Sequence, residues 1–420
     1  MSSKILLEAV SPPQPIKIGL GTPGPKPVEK KSEVDYSAKD IDQNTLQQVD
    51  CWYWAHTNKI KLVGAEFELK GHVYQVEWLR NKRKRKVYKK GSQMSGTESE
   101  VLGTLHGMIY GRYPRGVLYL FPTREDVTDF SKGRFQPLIL ENKCIGNWVS
   151  DTDAANIKKV GGSMLYLRGA RSSGKIEDSK ETSSQLKSIP VDKLIFDEID
   201  EMDKSMVALA MERLSASKVK EVVKISTPTI PGYGIDKAYE ESDQRVWMIK
   251  CRKCNDYTCL ELEFPECIVE LHNKWIRLCK NCRDREIYSD DGQWVAKYPG
   301  RNGEEDWAGW WISQLNSAYI DPGMILKMSN NPAKYDTTLA EVYNSKLGMA
   351  YIEAENRLSK SMVYACCGQD VMPQSSGRIT AMGVDIGKML HVVIGYKTDA
   401  NRYKIIRVVR VSEFDDLYDL

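Results

Sequence analysis

The sequence predicts an α/β fold built on a mostly parallel sheet with covering helices, interrupted by a small cysteine-rich module. Two observations predict it. Four short apolar runs, Val117–Phe121, Met164–Leu167, Lys193–Phe196 and Val222–Ile225, alternate with stretches of helical pattern. Two CxxC pairs then break the alternation, at Cys251/Cys254 and Cys279/Cys282. Strands separated by helices pair in parallel and bury both faces, so they read as continuous apolar runs. In such sheets a ligand sits beyond the carboxyl ends of the strands. Asp197, Glu198, Ser226 and Thr227 fall at those ends.

The chain has 420 residues, of which 41% are hydrophobic, enough for a large core and two or three domains. It has no apolar run of about 18 residues and a poor secretory start, and reads as soluble and intracellular. The net charge of +3 does not itself argue for nucleic acid. Its distribution says more: eight of the eleven residues from Arg80 to Lys90 are Lys or Arg. Such a run is either a track for phosphates or a solvated basic loop. Residues 1–35 hold six prolines and read as a flexible arm. Residues 36–245 carry the alternating pattern and 246–300 the paired cysteines. Residues 301–357, rich in Trp and Tyr (Trp307, Trp310, Trp311, Tyr319), look like closing packing for the core. Residues 358–378 read as a linker, and a new strand begins at Ile379.

The segment Lys89-Lys90-Gly91-Ser92-Gln93-Met94-Ser95-Gly96-Thr97-Glu98 has the parts of a phosphate-cradling loop. Glycines let backbone N–H groups curl around an anion, and the Thr97 hydroxyl suits Mg²⁺. The lysine that usually precedes the threonine is replaced by Gly96, so Lys89 or Lys90 must supply the cation. A plain Gly/Ser turn before a helix is the bland alternative. Leu194-Ile195-Phe196-Asp197-Glu198 is an apolar strand tipped by two acids. Asp197 suits the Mg²⁺ shell, and Glu198 suits polarising an attacking water. The hydroxyls of Ser226-Thr227-Pro228-Thr229 suit a contact to a catalytic acid or a terminal phosphate. Phosphoryl transfer also wants an arginine; Arg168, Arg171 and Arg213 are candidates, or a neighbouring subunit supplies it.

Of ten cysteines, four form the CxxC pairs, separated by 24 residues, each after a strand-like run. Four thiolates there fit one tetrahedral Zn²⁺ in a zinc ribbon, a closed and hence structural site. Lys250, Arg252, Lys253, Lys280, Arg283 and Arg285 surround it, either balancing charge or contacting DNA or another subunit. Cys259 and Cys267 read as core cysteines. Near the C-terminus, Ala381–Gly387 reads as a strand carrying Asp385, with two more strands at Val392–Tyr396 and Tyr403–Val411.

Lys90 to Glu98 looks like the deviant phosphate loop of lambda-type (GpA-like) large terminase subunits of tailed bacteriophages, with an early basic residue, then Gln, then a Thr-Glu ending. Gly169-Ala170-Arg171-Ser172, Asp197-Glu198-Ile199-Asp200 and Ser226-Thr227-Pro228-Thr229 are similar to the family too. Tyr74-Gln75 resembles its adenine-contacting segment. The resemblance runs from about residue 50 to the end and departs at Ser95-Gly96. It implies an ASCE-type P-loop ATPase over 36–245, closed by 301–357, with a zinc-ribbon insertion. It also implies a truncated RNase H-like nuclease over 379–420, with Asp385 as its first metal-binding acid. Glu413, Asp415 and Asp416 are poorly placed for the remaining acids. The function implied is an ATP-driven motor that translocates double-stranded DNA into a procapsid. The partners implied are a small terminase subunit, a portal and further copies in a ring, at work in the host cytoplasm.

Two other readings compete. A helicase-type ATPase would share the loop and acid motifs but needs a second motor domain. A zinc-ribbon DNA-binding protein with a decayed loop would explain the missing lysine.

Overall fold

The computed structural model describes residues 42–420, except 63, 69, 151–154, 172–188, 354–376, 387–388 and 400–401. The Pro-rich arm, Ser172 and almost all of the expected linker lie outside the described residues.

An 11-stranded sheet organises the molecule. Its seven parallel strands are β1 (Arg85–Lys90), β2 (Val117–Phe121), β3 (Ser163–Gly169), β4 (Lys193–Asp197), β5 (Glu221–Ser226), β6 (Arg245–Lys250) and β7 (Ala308–Ile312). They lie side by side in the order β6-β7-β1-β5-β4-β2-β3. Thus β5 stands between the loop strand β1 and the acid strand β4, the additional-strand arrangement of ASCE folds. Antiparallel strands close both edges: Ile157–Val160 and Val149–Ser150 beyond β3, and Gly292–Ala296 and Tyr257–Thr258 against β6. All residues of β2, β4 and β7 are buried, as two-sided covering demands. Two apolar clusters fill the faces. The four strands expected from sequence are all present.

Three expectations change. The stretch 301–357 does more than close the core, because β7 is an interior strand paired with β1, Ile312 opposite Lys90. The cysteine module is narrower than 246–300, because β6 and the Gly292–Ala296 strand belong to the main sheet. Third, the basic run is not one solvated loop: its charges are paired one by one, and Lys90 at its end reaches Glu198 beside the glycine turn. Arg80 pairs with Asp50, Lys84 with Glu304, and Arg85 with Glu305. Lys82 donates to the Val49 carbonyl, and Arg83 to those of Arg301 and Asp306. Lys86, Lys89 and Lys90 are buried in β1 beside Glu100, Asp236 and Glu198. Each charge of the run thus has a partner within the fold, in exposed pairs at its start and buried ones at its end.

Three strands near the C-terminus, Ala381–Ile386, Leu390–Asp399 and Arg402–Val411, pair as an antiparallel meander. No described helix is long and apolar enough to cross a membrane.

Candidate nucleotide site

The loop after β1 is gripped from two sides. The Gly91 N–H donates to Ile312 O at the end of β7 (2.9 Å), and the Ser92 N–H to Ser345 O (2.7 Å). A Cβ on Gly91 would stand 2.7 Å from Lys346 O, so only glycine passes there. Gln93 and Ser95 are left-handed, φ 56° and 53°, which folds the backbone into a concave turn. Met94, 1% exposed, anchors the turn in the core. Helix α1 (Gly96–Ile109) then starts with no side-chain cap, leaving its first N–H groups available to an anion.

The two candidate lysines part geometrically. Successive strand side chains point to opposite faces. Lys90 Nζ lies 2.9 Å from Glu198 Oε1. Lys89 points the other way, 3.0 Å from Asp236 Oδ1 and over the rings of Tyr239 and Trp311. Lys89 is therefore committed to an ion pair on the face away from Glu198. A Cβ on Gly96 would meet the Tyr88 ring at 2.8 Å and Lys90 Cδ at 3.1 Å. The departure at Gly96 is thus what lets the Lys90 stem lie across the loop.

Asp197 is buried, and both its oxygens are held. Thr97 Oγ1 donates to Oδ1 (3.1 Å) and Tyr119 Oη to Oδ2 (2.8 Å). Burial, then the Glu198 charge, pushes its carboxyl up to about 6. Glu198 takes a left-handed backbone, φ 59°, a strained conformation costing on the order of 1–3 kcal/mol. That turn aims its side chain at three partners besides Lys90: Ser226 Oγ (3.1 Å), Thr227 N (3.0 Å) and Thr227 Oγ1 (3.3 Å). Burial pushes its carboxyl up, but Lys90 and these donors outweigh that and hold it below the usual range. One turn on, Asp200 accepts from Thr229 N and Oγ1 and from Ile235 N. The acid motif and the hydroxyl motif are therefore stitched together twice.

A cleft of about 460 Å³ opens beside the acid pair, lined in part by Thr97, Phe121, Phe130, Arg134, Asp197 and Glu198. Arg134 was missed in the sequence. It sits in a π-helical turn, Ser131–Phe135, 2.9 Å from Glu98 Oε1, with no motif around it. Of the expected arginines, Arg171 lies 4.0 Å from Glu201, a residue that lines the cleft. Arg168 lines a separate cleft with Arg124. Arg213 accepts from Val191 N, two residues before β4 begins, which puts it at the amino edge of the sheet, away from the acids. Gln75 is 2% exposed and accepts from Ser99 of α1 (3.0 Å), bracing the loop helix rather than facing the cleft. Ser92 Oγ is likewise turned to Ser345.

Cys251, Cys254, Cys279 and Cys282 bring their sulfurs within 4.8 Å of one another. Cys251 and Cys282 are 3.8 Å apart, Cys254 and Cys279 3.6 Å. A tetrahedron with Zn–S of about 2.3 Å has edges of about 3.8 Å, so the donor set fits a zinc ion. Arg252, Lys253 and Lys280 around it pair with the carboxylates of Asp291, Asp284 and Glu263. Cys259 and Cys267 are buried core residues, as expected. Asp385 is exposed on the meander. Among the described residues no second group of three or more metal-ligating side chains converges, around Asp385 or elsewhere.

A loop strand, a glycine turn, a hydroxyl beside one buried acid and a lysine beside a second define a phosphate-loop nucleoside triphosphatase. The family described as phage terminase large subunit gpA, ATPase domain, matches residues 74–307. The chain belongs to that family and is an ATPase of phage DNA packaging. Among solved structures it is similar to the large terminase ATPase domain of Thermus phage P74-26 (12% identity, 69% of this chain and 96% of that chain, TM-score 0.44). It is also similar to the HK97 bacteriophage large terminase (12% identity, 85% and 66%, TM-score 0.43). A third is a large terminase of a thermophilic bacteriophage in complex with ADP (11% identity, 83% and 72%, TM-score 0.38). Among curated proteins none matches.

Proposed function

We propose that the chain hydrolyses ATP between the Gly91–Thr97 turn and the acid pair, and uses that hydrolysis to move double-stranded DNA into a procapsid. The observation that carries the site is the double bridge between the motifs: Thr97 to Asp197 at 3.1 Å and Lys90 to Glu198 at 2.9 Å. The Lys90 ammonium and the free N–H groups of α1 bind the phosphate oxygens. Thr97 and Asp197 offer two oxygens suited to Mg²⁺, which when bound neutralises charge on the terminal phosphates. Glu198, held ionised by Lys90, orients the attacking water and takes its proton.

Ser226, Thr227 and Thr229 hang from Glu198 and Asp200. A change of charge at the phosphates therefore reaches the segment after β5, and we assign the coupling stroke to it. Zinc in the four-cysteine site is structural. The small terminase subunit, the portal and a ring of copies are the partners this role requires. Asp385, on the first strand of the meander, is assigned to a nuclease metal site.

ATP turnover measured with and without linear double-stranded DNA tests the reading. Glu198→Gln should keep nucleotide binding and lose at least about a hundredfold in turnover, the scale of a general base. Unchanged turnover would remove Glu198 from its role.

A further inference from the structure

Glu261 belongs to no recognisable motif, yet it is a buried carboxylate with a full set of donors. It sits in a short helical turn, Leu260–Glu263, in the cysteine-bearing segment. Its Oε1 accepts from Ser313 N (2.8 Å), Ser313 Oγ (2.7 Å) and Asn316 Nδ2 (2.6 Å). Its Oε2 accepts from Cys259 Sγ (3.3 Å). A carboxyl group buried this deeply persists only where donors replace water. The three donors to Oε1 all lie in one place, the turn that ends β7.

That turn touches the phosphate loop. Ser313 caps the short 3₁₀ helix Gln314–Asn316. Gln314 Nε2 donates to Ser92 O (2.8 Å), and its backbone N lies 3.2 Å from where a Gly91 Cβ would be. Ile312 O, the residue before Ser313, accepts from Gly91 N. The same turn is held a second time by Arg277, whose guanidinium donates to Leu315 O and to Ser317 O. Arg277 ends the Lys274–Arg277 strand that leads into Cys279. The cysteine module therefore grips, with one carboxylate and one guanidinium, the element that forms a wall of the loop.

We propose that Glu261 is a positioning residue for the phosphate loop, tying the cysteine module through the Ser313–Asn316 turn and Gln314 to the backbone of Ser92. The inference rests on the assignment of Gly91–Thr97 as the phosphate loop. It makes nucleotide affinity depend on a residue that touches no nucleotide. The chemical step, set by Asp197 and Glu198 on the other side of the loop, does not depend on it.

The test is Mg²⁺-dependent binding of a fluorescent ATP analogue, together with KM and kcat for ATP, on the 420-residue chain. Glu261→Ala should weaken binding and raise KM by about tenfold, with kcat within about twofold, the scale of one lost charged hydrogen-bond set. Glu261→Gln keeps the acceptor at Oε1 and should return both to within about twofold of the parent. Gln314→Ala, outside the buried carboxylate's pocket, should weaken binding in the same sense, and adding it to Glu261→Ala should cost little more, since the two act in series. Parental affinity in a folded Glu261→Ala chain would overturn the proposal. If Glu261→Ala does not fold, parental affinity in Gln314→Ala overturns it. Lys90→Ala separates this from the site assignment itself. If Lys90→Ala also binds like the parent, the loop assignment fails; if only Lys90→Ala loses affinity, the strut alone fails.

Discussion

Lys90 Nζ and Glu198 Oε1 stand 2.9 Å apart, joining the front of the loop to the second acid of β4. One strand position away, Lys89 is spent on Asp236 on the opposite face. Adjacent lysines therefore have separate roles, and substitution should separate them. Lys90→Ala should cut nucleotide affinity by at least about tenfold, as expected for losing a charge-assisted phosphate contact. Lys89→Met leaves Asp236 buried without its cation and should cost about 3–5 kcal/mol of stability, read by urea denaturation. A Lys89→Met chain of parental stability would contradict the ion-pair account.

Asp197 makes stability depend on pH. Its carboxyl is pushed up to about 6 by burial, from the ordinary value of an aspartate near 3.8. A raised acid pKa means that the folded chain holds the proton more tightly than the unfolded chain. The stabilisation is complete below pH ~3.8 and is lost as pH rises through about 6. Glu198 runs the other way: its lowered pKa contributes stability above about 4.5 that is lost at lower pH. Asp197→Asn removes only the first effect. Its stability relative to the parent should improve by about 1–3 kcal/mol between pH 4 and pH 7.5, measured by urea denaturation without nucleotide. In the parent, Mg²⁺-dependent nucleotide binding should weaken below pH ~6, because a metal ligand must be deprotonated. A flat stability difference across that range would contradict the buried state of this acid.

What the sequence disclosed follows physical lines. Local signals were legible: apolar runs for β2 to β5, the acid pair at the tip of β4, and cysteine spacing that set the ligands. Facing could be read only in part, since Lys89 and Lys90 differ by strand alternation, which needs the strand's frame to be known. Long-range pairing was not legible. Nothing near Trp310 shows that β7 inserts beside β1, because its parallel partner on β1, Tyr88, lies 222 residues away and leaves no local pattern. The basic run misled for the same reason, since Glu304, Glu305, Asp236 and Glu100 neutralise it from distant segments. Arg134 and Glu261 had no motif, and only the cleft and the β7 turn give them meaning.

The cysteine module should be measurable by metal analysis. Sulfur separations of 3.6 and 3.8 Å match a tetrahedral site, so purified chain should carry stoichiometric zinc. Cys254→Ser should lose it. At free zinc a thousandfold above its Kd, the bound ion stabilises by about 4 kcal/mol, and removal by a chelator should lower stability on that scale. Zinc-free chain that melts with the parent would show that the four thiols need no ion.

Beneath the loop helix lies a buried charge cluster that tests how α1 is held from below. Lys193 Nζ, on a residue 1% exposed at the amino end of β4, lies 2.6 Å from Glu100 Oε1 and 2.9 Å from Glu221 Oε1. Tyr113 Oη donates to Glu221 Oε2 (2.9 Å). Glu221 is pulled down to about 2: burial pushes it up, but Lys193, Lys86 and Tyr113 outweigh that. Two carboxylates on α1 and β5 are thus neutralised by one ammonium on β4, and Lys86 adds a second cation 3.7 Å from Glu100. Lys193→Met strips out the centre and leaves uncompensated charge where water cannot follow, so it should cost about 3–5 kcal/mol. Adding Glu221→Gln removes one of the stranded charges and should recover part of that loss, because groups in one network do not add independently. The parent's share from Glu221 persists above about pH 4.5 and fades only as pH falls toward 2. The cost of Lys193→Met should therefore be undiminished at pH 7. If the double variant is less stable than Lys193→Met alone, the cluster is held by packing and not by paired charge.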